Sequence, residues 1–208
     1  MKKILLLAAL EDEFGAEGAR RLSESCDVRF TGVGKLRAFE ATLKALSGGD
    51  YDAVLNAGTC GSLRHATGTV LRPSVIVQGD IYVDSIFATP PEFAARGDEG
   101  VSIVSSDDFI GPDTAAERRA SAGRYDCFDM ESYAIARAVR FYADELGGRL
   151  PVSAFLKLVS DNADGDAGEW SVRIERLRPA LVAATEEAVK ELLSTTANRI
   201  LIETDDLR

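Results

Sequence analysis

The strongest constraint on this chain is an alternation. Short apolar runs rich in branched residues, at positions 4–10, 28–30, 53–56, 75–77, 81–83, 101–104 and 152–159, are separated by longer amphipathic stretches at 15–25, 35–46, 113–122, 130–146 and 178–195. Strands that lose their polar alternation are buried on both faces, and such strands alternating with helices belong to a mainly parallel sheet covered on each side. The pattern predicts an α/β three-layer sandwich, a central mixed and mostly parallel sheet flanked by helices. No repeat and no linker-like change of composition divides the 208 residues, so one domain spanning 1–208 is expected.

Composition narrows the function classes. At 46% hydrophobic residues the chain is too apolar for a disordered one. Its longest apolar run, 4–10, falls far short of the roughly 20 residues that cross a bilayer. Lys2 and Lys3 stand before that run as in a secretory signal, but Glu11, Asp12 and Glu13 end it abruptly, so a mature, cytoplasmic protein with no membrane partner is expected. Lys and Arg number 24 against 34 Asp and Glu, and a net charge of −10 argues against nucleic-acid binding, which needs basic surface against phosphate. Cys26, Cys60 and Cys127 are odd in number and far apart, which implies neither a disulfide framework nor a metal cluster and suits a reducing compartment.

In open parallel sheets the site lies beyond the carboxyl ends of the strands. Those positions hold Glu11-Asp12-Glu13, then Thr31-Gly32-Val33-Gly34-Lys35, then Asn56-Ala57-Gly58-Thr59-Cys60-Gly61, and finally Ser160-Asp161-Asn162-Ala163-Asp164. Gly32-Val33-Gly34 lacks the third glycine of a dinucleotide fingerprint, and Lys35 followed by Leu36 is not a P-loop; the two glycines suit a tight strand-to-helix turn. Cys60 lies five residues from His65, the single histidine, but Gly58-Thr59-Cys60-Gly61-Ser62 does not fit a nucleophile elbow, and a packed thiol is the simpler reading. The loop from Ser160 to Ser171 lacks the acidic first and last ligands of a calcium loop. Taken alone, Asp161 reads as a turn or cap residue, and Glu131 as an ordinary acidic residue of a first helical turn.

Together these segments resemble the nucleoside phosphorylase and nucleosidase superfamily, specifically its 5'-methylthioadenosine/S-adenosylhomocysteine nucleosidases. The matching segments, in order, are Ala8-Ala9-Leu10-Glu11-Asp12-Glu13, Thr31-Gly32-Val33-Gly34-Lys35, Asn56-Ala57-Gly58-Thr59-Cys60-Gly61-Ser62, Asp129-Met130-Glu131-Ser132-Tyr133-Ala134-Ile135-Ala136 and Leu158-Val159-Ser160-Asp161-Asn162-Ala163-Asp164. The resemblance implies a site that breaks the bond between ribose and base, with no cofactor and no metal. Glu13 matches the family's general base toward water, Asp161 the general acid toward purine N7, and Ser160 a residue that orients that acid. Met130 and Glu131 match the ribose platform, and Thr59, with Cys60 and Gly61 beside it, would lie near water and sugar. Ser105, Asp107, Asp108, Phe109 and Ile110 resemble the segment against the base, with Phe109 and Ile110 in contact.

The residue types suit that chemistry. Departure of the base gives the sugar oxocarbenium character, which nearby carboxylates stabilise. Purine leaves poorly as an anion, so Asp161 has to hold a proton while Glu13 stays ionised. Phosphorylases of the superfamily carry an arginine where this chain has Asn56 and a further arginine-bearing loop where it has Glu11, Asp12 and Glu13, so water is the expected nucleophile. Arg37 and Arg64 leave phosphorolysis as the alternative. Departures from the pattern at Cys60, at Asn162 and in the short segment 87–100 bear on the 5' group and keep futalosine-type and other purine nucleosides, and a non-catalytic nucleoside-binding homologue, as further alternatives. By analogy with the family, a homodimer is expected.

Overall fold

Branched and aliphatic residues packed on both faces build the strands of this protein, and the computed structural model describes them over residues 3–80, 92–164 and 167–205. The strands are β1 (Ile4–Ala8), β2 (Asp27–Phe30), β3 (Ala53–Gly61), β4 (Val70–Leu71), β5 (Pro73–Gln78), β6 (Glu92–Ala94), β7 (Asp98–Ser105), β8 (Cys127–Asp129) and β9 (Val152–Asp161). The helices are α1 (Gly15–Ser23), α2 (Lys35–Gly48), α3 (Ala116–Ala122), α4 (Ser132–Glu145) and α5 (Ala167–Asp205). All the strands join one sheet in the order β2-β1-β3-β8-β7-β5-β6, with β9 pairing β3 and β4. The pairs β1–β2, β1–β3, β3–β9, β5–β7 and β7–β8 are parallel, whereas β3–β8, β4–β9 and β5–β6 are antiparallel. The mixed, mostly parallel sheet with helices on both sides is the architecture that the alternation predicts.

Two apolar layers hold the sandwich together. On one face Ile4, Leu6, Leu55, Leu156 and Leu158 pack against Leu22 of α1 and Leu181, Val182 and Val189 of α5. On the other, Leu5, Leu7, Val54, Phe155 and Val159 meet Ala38 and Leu46 of α2 and Ile135 and Val139 of α4. Each fully buried aliphatic side chain contributes about 1.5–3 kcal/mol, enough for such layers to override weak local propensities.

Several boundaries differ from the sequence expectation. β1 stops at Ala8, and Glu11–Glu13 form one 3-10 turn rather than an open loop. α4 begins at Ser132, which leaves Met130 and Glu131 ahead of the helix. α3 begins at Ala116, and α5 begins eleven residues before Arg178, because Pro179, which resembles a helix start, lies inside it. β4, β6 and β8 have only two or three residues each, too few for a recognisable period. The run 81–83 and most of the first half of segment 87–100 lie outside the described residues; the rest of that segment supplies β6 and the start of β7.

Three local features shape the carboxyl ends of the strands. Gly32 and Gly34 both have positive φ, 77° and 96°, which turns the chain from β2 into α2. The β3–β9 register runs Cys60 to Val159 and then Gly61 to Asp161, so Ser160 is the extra residue of a bulge. Bulges re-aim side chains beside functional sites, and this one lies directly before Asp161.

Candidate active site

A cleft of about 410 Å³ opens at these strand ends. Glu13, Thr59, Cys60, Gly61, Phe109, Ile110, Met130, Glu131, Ser160 and Asp161 all line it. These ten residues, singled out from sequence, are thereby brought together from five separate segments of the chain. Ala9, Leu10, Val33, Asp108, Phe128 and Asp129 complete the wall.

Glu13 is the most enclosed of the acids. It projects from the 3-10 turn, is 3% exposed, and accepts hydrogen bonds from the backbone N–H of Thr59 at 2.6 Å, Ala9 at 3.2 Å and Leu10 at 3.3 Å, and from Thr59 Oγ1 at 3.0 Å. A Cβ at position 58 would lie 2.7 Å from Glu13 Oε1, so only glycine lets strand and carboxylate meet there. Burial pushes the Glu13 carboxyl above its ordinary value, while the Thr59 N–H and the Lys157 charge pull it down. The outcome is a carboxylate held by donors yet ready to take up a proton.

Glu131 caps the approach to α4, where its Oε1 accepts the Gly34 N–H at 2.9 Å from the start of α2. Burial first and the neighbouring Asp129 charge second raise its carboxyl to about 7, against opposing pulls from Lys157 and the Gly34 N–H. Asp161 is held differently. Its Oδ1 accepts the Ala163 N–H at 3.0 Å, its Oδ2 lies 2.9 Å from Ser160 Oγ, and its carbonyl accepts the Ser62 N–H at 3.0 Å. The Asn162 amide donates to the Ser62 and His65 carbonyls, and the Arg119 guanidinium donates to the Ala163 carbonyl. These bonds clamp a loop in which Ala163 has φ 55°, an uncommon value for a residue with a side chain. They also give Asn162 a physical role that its sequence position did not suggest.

Behind the cleft lies a buried polar network that the sequence reading missed. Lys157 of β9 and Asp129 of β8 form an ion pair at 2.9 Å with both side chains almost wholly enclosed. Ser105 Oγ donates to Asp129 Oδ1 at 2.6 Å, and Ser132 offers the same carboxylate its N–H and its hydroxyl. Ser132 Oγ also lies 3.0 Å from Asn56 Oδ1, and the Asn56 amide donates to the Leu7 carbonyl. Lys157 sits inside an apolar run, and that charge at a core position was the available signal. Phe128, whose ring packs on Gly61 with no room for a Cβ, gave only the weaker signal of an aromatic before Asp129.

Some expectations need correction. Ser105 does not face the cleft, because its hydroxyl is committed to Asp129 and to the Tyr133 N–H. Asp107 accepts the Lys35 N–H at 2.7 Å, outside the cleft wall. Asp108 does line the cleft and pairs with Arg118. Arg64 is half-exposed beside Asp126, and Arg37 lies on the surface against Gly32. Neither reaches the cleft, whose described lining contains no lysine or arginine. His65 Nε2 is 3.0 Å from Asp126 Oδ1, so the histidine is engaged away from Cys60. Among the described residues no group of His, Cys, Asp and Glu is placed to hold a metal ion, and no helix is long and apolar enough to cross a membrane.

The sheet order, the bulge before Asp161 and the acid-lined cleft define a protein with the nucleoside phosphorylase/nucleosidase fold. Within that fold the chain is similar to 5'-methylthioadenosine/S-adenosylhomocysteine nucleosidases. That of Helicobacter pylori, solved with butyl-thio-DADMe-Immucillin-A, superposes with TM-score 0.74 at 19% identity over 92% of this chain and 99% of that one. The 5'-methylthioadenosine nucleosidase of Arabidopsis thaliana gives 0.72 at 19% identity over 92% and 96%. The futalosine hydrolase of Helicobacter pylori gives 0.69 at 16% identity over 93% and 98%. No protein-family model and no curated sequence matches the chain.

Proposed function

We propose that this protein is a nucleosidase that hydrolyses the N-ribosidic bond of a purine nucleoside of the 5'-methylthioadenosine or S-adenosylhomocysteine type. The observation that carries the reading is the convergence of Glu13, Glu131 and Asp161 on one cleft whose described wall bears no cation. In this reading Glu131 accepts the ribose hydroxyls beside Met130, Phe109 and Ile110 hold the base, and Asp161, oriented by Ser160, protonates the purine at N7. The C1′–N9 bond breaks with its electron pair passing to the base. Water attacks C1′ and gives its proton to Glu13, and the enclosing carboxylates stabilise positive charge on the sugar meanwhile. Thr59 places its N–H and hydroxyl on Glu13, fixing the direction from which the carboxylate meets water.

Water rather than phosphate is favoured because phosphate needs bidentate cationic partners. Asn56, buried at the position where phosphorylases carry arginine, spends its amide on the sheet and on Ser132. Exposed Leu10, Val33 and Phe109 at the cleft rim, with Leu36 85% exposed nearby, support a homodimer that covers this edge, which light scattering in solution tests.

The functional experiment incubates the protein with a nucleoside panel, futalosine included, with and without phosphate, and identifies the sugar released. Free sugar at a phosphate-independent rate is expected, fastest with a 5'-alkylthio substituent. A futalosine preference would reassign the 5' group, and sugar 1-phosphate formed only with phosphate would reassign the reaction. Nucleoside binding without base release would make the chain a non-catalytic homologue.

A further inference from the structure

The buried lysine behind the cleft has no task in the chemistry above, yet its placement is specific. Along β9, Phe155, Lys157 and Val159 share one face; the two flanking residues belong to the apolar layer beneath α2 and α4, and Lys157 interrupts it at 2% exposure. Asp129 does not need the lysine for hydrogen bonding, since Ser105 and Ser132 already donate to it. Nor does stability alone account for the pair, because a hydrocarbon of similar volume often serves a core as well as a buried ion pair.

Lys157 does have carboxylates on several sides. Gly58 is its register partner on β3, and the Glu13 carboxylate rests against the space where a Gly58 Cβ would be. Glu131 follows Asp129 by two residues at the entrance to α4. The titratable groups that bear on this spot are Asp129 and Cys127 on β8, Glu131 at the β8–α4 junction, Glu13 on the turn after β1, and Cys60 of β3 through Cys127. One cation thus stands among three acids.

Building on the nucleosidase reading, we infer that Lys157 is a positioning residue whose fixed charge favours the ionised forms of Glu13 and Glu131 for water activation and ribose binding, with Asp129 holding its ammonium in place. Asp129 and Glu131 are both acidic and close together, so without the lysine each would favour the protonated form of the other. Burial raises both glutamate carboxyls, and the Lys157 charge opposes that rise at each.

The test is an NMR titration of side-chain carboxyl carbons in glutamate-labelled protein, assigned with Glu13→Gln and Glu131→Gln, alongside the pH profile of kcat/KM. Lys157→Met is expected to move both glutamate midpoints up by roughly one to three pH units, with the acidic limb of the profile following. Lys157→Arg, which restores the charge, should return midpoints and limb toward wild type. Lys157→Gln, which removes the charge but leaves Asp129 a polar partner, is expected to move both midpoints up likewise, and this arm decides if Lys157→Met does not fold. A folded Lys157→Met or Lys157→Gln protein with unmoved midpoints overturns the inference. The titration needs no turnover. Wild-type protein that releases no base would therefore defeat the nucleosidase reading and leave the lysine still decided by its midpoints.

Discussion

The two faces of β9 carry the same strand into different physics. Toward α5, Ala154, Leu156 and Leu158 form an unbroken hydrocarbon surface; toward α4, the series Phe155, Lys157, Val159 is interrupted by a charge. The first face only has to exclude water. The second encloses Lys157, Asp129, Asn56 and Ser132 in the low-dielectric interior, where a satisfied polar network fixes groups in place but costs stability if any member is removed. Both faces are packed with hydrocarbon, but only the second encloses a buried charge, directly behind the candidate site at the strand ends.

Substitutions separate the two. The largest effect is expected at the strand end: Asp161→Asn should lower base release by roughly 10²–10⁴-fold while leaving thermal stability near wild type, and retention of more than about a tenth of the rate would remove Asp161 from the general-acid role. Gly58→Ala should cost on the order of 10²-fold in kcat, because the new methyl meets Glu13 Oε1 at 2.7 Å and displaces the base; a smaller loss, with the fold intact by circular dichroism, would show that the turn can yield. Leu156→Ala, on the hydrocarbon face, should cost about 2–5 kcal/mol in denaturant unfolding with turnover per folded molecule unchanged. A kinetic defect there would erase the distinction between the faces.

A subtler contrast is with pH. Burial and the Asp129 charge push the Glu131 carboxyl up to about 7 from an ordinary 4.5, so between those values the native state is expected to keep a proton that the unfolded chain has released. Stability should fall as pH rises through that window, and Glu131→Gln should flatten the fall. An unchanged slope in the variant would assign the dependence elsewhere. The smallest effect belongs to Arg64→Ala, which loses a half-exposed contact to Asp126 and should change stability by about 1 kcal/mol or less, with phosphate dependence unaltered.

Much of this was legible in the chain because the two periodicities of the apolar residues are strong, and because the rule of carboxyl strand ends points to the loops that hold Glu13, Thr59 and Asp161, to which the family resemblance then gives roles. What escaped did so for physical reasons. β8 is three residues long and runs straight into Met130 and Glu131, too short to show a strand period ahead of the helical pattern that begins at Met130. Lys157 lies within a run whose apolar neighbours mask it, and its partner Asp129 is distant along the chain, so only the fold reveals their pairing. Ser105 faces inward because the β7–β8 register sets it beside Asp129, a detail that no local pattern carries.

The central claim is that water, activated at Glu13, attacks a sugar whose base departs with a proton from Asp161. Turnover of 5'-methylthioadenosine in heavy-oxygen water containing phosphate tests it most directly, with the sugar product weighed by mass spectrometry. The account predicts free sugar bearing one solvent oxygen at C1. Sugar 1-phosphate, or no base released from any purine nucleoside, would contradict it.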